Sequence, residues 1–197
     1  MVVAQNECIR HIAKSSPGAM VVFTDADSIM NIPDFRAGER CFQLLVQAAG
    51  RAGRSNSPGE VIIQSYNPDD PIIQLAASQD YEQFYKHEIK IRSMLNYPPF
   101  TQILRIVCSS EMEDAAAKYA QNLVQYIDEI IDASEEDITI LGPAQCPIAK
   151  IRRRYRYHIL IKCISWELLH SIAAHILNQN RPKHVKMELD INPVTTI

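Results

Sequence analysis

The sequence predicts an α/β protein in two parts: an incomplete layer of a few parallel strands plus helices, followed by a βαββαβ ferredoxin-like domain. The first half has two short apolar runs of strand length, whereas the second half alternates strand and helix periodicity in that order. Between them lies "YPPF" (residues 97–100), where two prolines end a helix. We therefore predict domains at residues 1–97 and 98–197.

The first part carries the signals of two strands and two helices. We expect strands at residues 20–23 and 61–64 and helices at residues 36–49 and 80–95. Gly50 and Gly53 follow the first helix and are expected to end it. Asp25 and Asp27 follow the first strand, where they either face a ligand cleft or begin a turn. We favour the turn.

The second part has a clearer rhythm. We expect strands at residues 101–109, 138–141 with an irregular continuation past Gly142, 156–163 and 185–191, and helices at residues 111–133 and 166–177. Trp166 begins the second helix and is expected in the core. The resulting order, βαββαβ, is the split-βαβ pattern. Because one fold serves many functions, this order alone assigns none.

The composition is that of an ordinary globular protein, with 47% hydrophobic and 22% charged residues. No apolar run approaches the ~20 residues of a membrane span, and residues 1–10 lack the apolar stretch of a signal peptide. The five cysteines are scattered and never form a CxxC pair, so we expect reduced thiols and no metal site. They are Cys8, Cys41, Cys108, Cys146 and Cys163.

The net charge of -3 hides a separation of charge along the chain. Residues 146–186 hold nine Lys or Arg and one acid, Glu167. Residues 111–137 hold nine acids and one base, Lys118. A fold that keeps these segments apart presents a basic face, which suits an anionic partner.

The segment "QAAGRAGR" (residues 47–54) has the chemistry of a phosphate-binding loop. Glycine lets the backbone approach a ligand closely, and the guanidinium fork of arginine matches phosphate oxygens. An arginine placed against a γ-phosphate can raise a rate by ~10³–10⁵. The alternative is a helix C-terminus whose arginines interact with the helix dipole and with solvent. The spacing alone leaves both interpretations open.

Several separated segments resemble one family in the right order, from about residue 24 to the end. They are "IPDFRAGERCFQLLVQAAGRAGR", "GEVIIQSYNPDDPII", "DYEQFY" and "YPPF". The first contains the QxxGRxGR pattern of superfamily 2 helicases, and together they resemble the C-terminal portion of the replication-restart (primosomal) DNA helicases. The resemblance implies that residues 1–97 are the C-terminal part of the second RecA-like helicase lobe. It implies that residues 98–197 are the family's C-terminal DNA- and partner-binding domain.

The resemblance also implies roles in ATP hydrolysis. Arg54 would be the catalytic arginine finger, Arg51 a phosphate or interlobe contact, and Gln47 a nucleotide-coupling residue. Gly50 and Gly53 complete this nucleotide-binding motif. ATP and Mg²⁺ are the cofactors of the intact family member.

The rest of a nucleotide site is missing from the 197 residues. They contain no GxxxxGK[ST] phosphate loop and no DEAH-type acidic motif for magnesium. The family's cysteine-rich zinc segment is also absent. We therefore expect a fragment, a truncated gene product or one part of a split protein, which binds no cofactor and hydrolyses no ATP alone.

The second candidate site is "KIRRRYRYHILIK" (residues 150–162), where arginines and tyrosines alternate before an apolar strand. Arginines neutralise backbone phosphates, and tyrosines can stack on unpaired bases at ~1–3 kcal/mol per base. The candidate DNA-binding residues are Arg152, Arg153, Arg154, Tyr155, Arg156 and Tyr157. In a regular strand Arg154, Arg156 and His158 share one face, so the tyrosines are alternatively core residues beneath solvated arginines.

The resemblance adds a second ligand for this segment. In the family, the equivalent segment receives the acidic C-terminal tail of single-stranded DNA-binding protein. The positions that carry over are Arg154, which suits a terminal carboxylate, and His158, where the family often has glutamine.

The sequence is compatible with three functions. The chain is part of a helicase that recognises stalled or forked DNA and loads the primosome, or a stand-alone module that binds DNA and single-stranded DNA-binding protein, or a non-catalytic structural remnant. The resemblance implies other primosome proteins as partners, no membrane, and a cytoplasmic, nucleoid-associated location in a bacterium.

Overall fold

The first half of the chain contains a parallel sheet, and the second half contains an antiparallel sheet. Both are seen in a computed structural model that describes residues 2–4, 20–52, 60–131 and 137–196. The chain divides into two compact units, Met1–Ile91 and Arg92–Ile197. The division falls N-terminal to the boundary that we predict at residue 97.

Three parallel strands form the sheet of the first unit in the order β1-β3-β2. They are β1 (Val2–Ala4), β2 (Met20–Phe23) and β3 (Glu60–Gln64). Ile62 of β3 pairs with Val2 on one side and Val22 on the other, so β3 is the central strand. The sequence predicts β2 and β3, while β1 is too short to predict. The assignment of this unit to a RecA-like lobe stays a prediction.

Four helices belong to the described part of the first half. They are α1 (Asp27–Met30), α2 (Ala37–Ala52), α3 (Pro71–Ser78) and α4 (Tyr81–Met94). Helix α2 continues through Gly50, so the expectation that this glycine ends the helix is wrong, because a helix tolerates an internal glycine at a modest cost. Helix α3 is unpredicted, although Asp70 caps it by accepting a 2.8 Å hydrogen bond from the Ile72 N–H.

The core of the first unit lies between α2, β3, α3 and α4. Phe42 and Phe84 stack with their ring centroids 4.0 Å apart. Leu45, Ile63 and Ile73 are completely buried, and each contributes about 1.5–3 kcal/mol relative to an exposed side chain. The apolar spacing of α2 therefore predicts its buried face correctly.

The second unit has the predicted order βαββαβ. Its elements are β4 (Gln102–Ser110), α5 (Glu113–Ile131), β5 (Ile138–Ile151), β6 (Arg154–Cys163), α6 (Trp166–Leu177) and β7 (Val185–Ile191). All neighbouring strands are antiparallel, in the order β5-β6-β4-β7. Strand β5 is irregular as predicted, with register shifts after Leu141 and after Gln145.

One face of this sheet packs against α5 and α6. Ile106 of β4 pairs with Ile159 of β6 and Leu189 of β7, and all three face these helices. Leu123 and Ile127 from α5 and Ile172 from α6 complete the core. Trp166 is an exception to the prediction, because its side chain is 45% exposed and lies beside the ring of His170.

Candidate nucleic-acid interface

A two-residue turn connects β5 to β6 and carries two arginines. Ile151 pairs with Arg154, which leaves Arg152 and Arg153 as the tip of the hairpin. Both have positive φ, 48° and 64°, and both are exposed. Consecutive positive φ values match the twist of a tight hairpin, but they favour Asn and Gly over arginine. The hairpin therefore presents two cations at its tip in a backbone conformation that arginine rarely adopts.

Arg154, the first residue of β6, is held by acceptors from two other segments. Its Nη2 donates to the main-chain oxygens of Ser109 at 2.7 Å and His184 at 2.9 Å. Its Nε lies 3.4 Å from the Ser109 hydroxyl. The Nε–Nη2 edge is thus engaged within the unit, which leaves the Nη1 group as the donor that a ligand can reach.

The bond from Arg154 to His184 brings a second basic segment to the hairpin. The loop between α6 and β7 (residues 178–184) carries Arg181 and Lys183, both exposed. We define the basic end of the sheet as Arg152, Arg153, Arg181 and Lys183. The loop cations belong to the basic segment of residues 146–186, but the predicted DNA-binding residues end at Tyr157 and do not include them.

The two tyrosines of β6 lie in different surroundings. Tyr157 packs against the core, and its hydroxyl lies 3.3 Å from the Glu113 carboxylate of α5. Tyr157 therefore agrees with the alternative in which the tyrosines of β6 are core residues beneath solvated arginines. Tyr155 is half-buried, and the Lys150 ammonium lies 4.1 Å from the centre of its ring. A base could therefore stack on this face of the Tyr155 ring only after displacing Lys150.

Arg156 and His158 follow Arg154 on the face of the sheet opposite the core. Arg156 lies 3.4 Å from the main-chain oxygen of Ile148 across the hairpin. The Nδ1 atom of His158 is buried without a hydrogen-bond partner in the described part of the chain. Burial, followed by the charges of Arg105 and Arg156, lowers the pKa of His158. Imidazole is therefore the favoured form of this side chain at neutral pH.

The helicase-type motif lies at the end of α2. Gln47 and Gly50 are exposed and three residues apart, so they share the helix face opposite the core residues Leu45 and Ala49. Arg51 belongs to the last turn of this helix. Gly53 and Arg54 lie outside the described residues. The nucleotide roles of all five residues stay predictions.

The acids that follow β2 are engaged locally. The Asp25 carboxylate accepts a hydrogen bond from the Ser28 N–H at 3.0 Å. Asp27 accepts from the Ser65 hydroxyl at 2.7 Å and the Tyr66 N–H at 2.9 Å. Burial raises the pKa of Asp27, but these hydrogen bonds outweigh it and the net pKa is lowered. Both acids therefore shape the turn, which is the interpretation that we favour from the sequence.

Within the described ranges, no three His, Cys, Asp or Glu side chains are grouped so that they could hold a metal ion. In the same residues, every helix is too short or too polar to cross a membrane.

Comparisons with known proteins agree on one family. The model of the primosomal protein N C-terminal domain matches residues 93–194. The chain is 40% identical over 178 residues to the replication restart protein PriA of Bacillus subtilis, covering 88% of this chain and 22% of that relative. It is 36% identical over 170 residues to PriA of Synechocystis, covering 86% of this chain and 20% of the relative.

A third relative extends this pattern. PriA of Borreliella burgdorferi is 38% identical over 179 residues, which is 88% of this chain and 26% of the relative. The chain thus spans only about a quarter or less of the length of the relatives it matches. Among solved structures, the designed protein Foldit4 covers 47% of the chain at 14% identity. Its TM-score of 0.36 is too low to support a statement about the fold.

Proposed function

This chain belongs to the PriA family of replication restart proteins, and we propose that it is the C-terminal portion of a replication-restart helicase. In this proposal, its second unit binds single-stranded or forked DNA and single-stranded DNA-binding protein. In the intact helicase, the same unit recognises stalled forks and helps to load other primosome proteins, in a bacterial cytoplasm.

The observation that supports DNA binding most directly is the basic end of the sheet. Arg152 and Arg153 are exposed, and the Arg154–His184 bond holds the loop with Arg181 and Lys183 beside them. Four exposed cations at the same end of one sheet can neutralise phosphates and release counterions, which makes binding steeply dependent on salt. Phosphate contacts of this kind position a strand without selecting its sequence.

Nucleotide chemistry is not assigned to this chain alone. Its 197 residues contain neither a phosphate loop nor a DEAH-type acidic motif, so the residues present cannot enclose ATP and Mg²⁺. In the proposal, Gln47, Arg51 and Arg54 act only when the remainder of a helicase supplies those parts.

Binding of the acidic tail of single-stranded DNA-binding protein is supported by Arg154 and His158. They lie on one face of β6, four residues and therefore about 13 Å apart. An extended peptide of four or five residues spans that distance. The Nη1 group of Arg154 can donate hydrogen bonds to a terminal carboxylate, while His158, in its neutral form, lies between Val107 of β4 and Ala144 of β5.

The alternative is a non-catalytic remnant or interaction module. Large apolar side chains of the first unit support it, because Tyr66, Tyr81 and Tyr85 are 78%, 64% and 53% exposed. Exposed apolar groups of this size are typical of a surface that another protein covers. DNA binding without ATP hydrolysis would fit this alternative as well as a helicase fragment.

The proposal is tested by measuring the affinity of the chain for fluorescent single-stranded and forked DNA across a salt series. The informative variant is Arg152→Asn with Arg153→Gly, since Asn-Gly suits the positive φ of the tip and removes both charges. We expect weaker binding and a log–log salt slope that is smaller by roughly 1 to 1.5, from about 0.7 per phosphate contact.

A matched control removes two exposed cations elsewhere. Lys86→Gln with Lys90→Gln changes the net charge equally, but these lysines lie on α4. This variant should keep the salt slope of the wild type. Equal effects of both double variants, or a flat salt dependence in the wild type, would contradict binding at the basic end.

A separate titration addresses the tail. A peptide with an acidic, apolar sequence and a free carboxylate should bind the chain, and the same peptide with an amidated C-terminus should bind more weakly. His158→Gln should preserve binding, because glutamine keeps a neutral polar group. Equal affinity of the two peptides would argue against carboxylate capture by Arg154.

A further inference from the structure

A cavity lies beside the basic end of the sheet, between α5 and the loop of residues 178–184. It is partly open to solvent and has a volume of about 260 Å³. Its walls combine two tyrosines, three amide side chains and two apolar residues: Tyr119, Tyr126, Asn122, Gln179, Asn180, Leu123 and Pro182. Pockets for drug-sized ligands enclose about 300–1,000 Å³, so this cavity is of the scale of a smaller planar group.

The polar groups of the cavity are available to a ligand. Asn122, Gln179 and Asn180 are exposed, and their amides have no protein hydrogen-bond partner among the described residues. Each amide offers a donor and an acceptor side by side. Tyr126 is half-buried against the core, which fixes its ring, and Tyr119 is anchored with its hydroxyl 3.9 Å from the Met187 sulfur.

The charges around the cavity are positive on the side of the loop. Arg181 lies within the loop that lines the cavity, and Lys183 follows it. Burial raises the pKa of the Tyr119 hydroxyl, and the nearby charge of Arg181 partly offsets this effect. No acid is among the cavity-lining residues, although the exposed Glu129 lies one turn beyond Tyr126 on α5. Tyrosine rings, free amide groups and nearby positive charge together favour a ligand that joins a flat polar ring to an anion.

A nucleotide of single-stranded DNA has these properties. Its base can stack on a tyrosine, its edge has donors and acceptors that amide side chains complement, and its phosphate suits arginine. We infer that this cavity receives one base of a single-stranded DNA whose phosphates lie on the basic end of the sheet. The inference rests on the proposed function, since it adds a base-binding position to the same DNA surface.

Residues 179–184 connect the cavity to the hairpin without a break. Gln179 and Asn180 line the cavity, Arg181 and Lys183 follow, and His184 accepts the bond from Arg154 at the root of the hairpin. A strand with its base in the cavity can therefore continue over the loop cations towards Arg152. This arrangement gives the cavity selectivity for unpaired bases, because a base within a duplex cannot enter it.

The test compares two oligonucleotides that carry the same phosphates. One is a thymine strand, and the other is a strand of abasic tetrahydrofuran units of equal length. We expect the full chain to bind the thymine strand about 5- to 150-fold more tightly, the range that one stacked base provides. Salt dependence should be nearly the same for both strands, because the phosphates contact the same cations.

Substitutions of the cavity-lining residues test whether the base binds in the cavity. Asn122→Ala with Gln179→Ala, and separately Tyr126→Leu, should reduce the preference for the thymine strand at least fivefold while leaving abasic binding unchanged. Gln121→Ala with Gln125→Ala is the matched control, because both side chains are exposed on α5 but do not line the cavity. A 5-iodouracil strand should crosslink to Tyr119 or Tyr126.

The outcomes separate this inference from the proposed function. Equal, salt-dependent affinity for both strands would overturn the base pocket and leave DNA binding intact. A base preference that persists in the cavity variants, or crosslinks confined to Tyr155, would also overturn it. Loss of acidic-peptide binding in the cavity variants, with the base preference retained, would assign the cavity to a peptide instead. Failure to bind either strand would overturn both proposals.

Discussion

The guanidinium of Arg154 donates a 2.9 Å hydrogen bond to the main-chain oxygen of His184, 30 residues away. The same nitrogen donates to Ser109 of β4 at 2.7 Å. One side chain therefore joins the hairpin, strand β4 and the loop before β7. Arg154 consequently has a structural role in addition to any contact with a ligand.

Replacing Arg154 with alanine should destabilise the second unit by about 1–3 kcal/mol, because two main-chain acceptors lose a charged donor. Arg152→Gln, at the exposed tip, should change the free energy of unfolding by no more than about 0.5 kcal/mol. Urea unfolding followed by circular dichroism measures both values. Equal stability of the two variants would show that the Arg154 bonds contribute little, and loss of ligand binding in Arg154→Ala could then be attributed to direct contact.

Two glycines should respond to alanine with opposite signs. Gly142 has φ of +106°, and an added Cβ would lie 2.7 Å from the main-chain oxygen of His158. Gly142→Ala should therefore cost about 2–3 kcal/mol. Gly50 lies in α2 with nothing within 4 Å of the added atom, so Gly50→Ala should stabilise the first unit by roughly 0.5–1 kcal/mol. Urea midpoints test both, and a shift in the same direction would contradict the assigned backbone conformations.

His158 should titrate below its ordinary pKa of 6.5, since burial and then the charges of Arg105 and Arg156 disfavour its protonated form. Above pH 6.5 its contribution to stability is fully present. As the pH falls from 6.5 towards the lower folded-state pKa, the unfolded chain gains protons first and stability declines. An NMR titration of the His158 ring measures the pKa directly.

The stability of His158→Gln provides the control for this titration. In this variant, the part of the stability loss below pH 6.5 that comes from His158 should be absent. Any loss of stability that comes from other titrating groups should remain. A folded-state pKa at or above 6.5 would mean that the ring is more solvated than its buried Nδ1 indicates.

The chain alone should hydrolyse no ATP, with or without DNA. The reason is chemical, since the 197 residues contain no phosphate loop with which to hold a nucleotide. A coupled assay with saturating single-stranded DNA tests this, with an active helicase as the positive control. DNA-stimulated turnover that is lost in Arg54→Ala would contradict the expectation and would mean that the nucleotide is held by other residues.

Periodicity predicts most of the second unit. The predicted bounds of α6 and β7 agree with the structure, because alternating or helically spaced apolar residues directly reflect one buried face. In the first unit, α3 is missed although Asp70 and Pro71 form a recognisable helix start. Its eight residues, of which Gln74 and Ser78 are polar, are few enough to suit either a strand or a helix.

The candidate site is less predictable than the fold. The sequence indicates that arginines cluster before β6, but it cannot show which of them have internal partners. The acceptors of Arg154 are main-chain oxygens of Ser109 and His184, and every residue has such an oxygen. The cavity is missed for a similar reason, since Tyr126 and Gln179 meet only through the packing of α5 beside a loop.

The two positive φ angles at the hairpin tip have an evolutionary meaning. A non-glycine residue in this conformation costs on the order of 1 kcal/mol or more, and here two adjacent arginines adopt it. Asparagine and glycine would relieve that strain with a single exchange at each position. At the tip, the backbone conformation favours asparagine or glycine, whereas the proposed binding of phosphate favours arginine. Laboratory selection for thermal stability alone should therefore replace these arginines early.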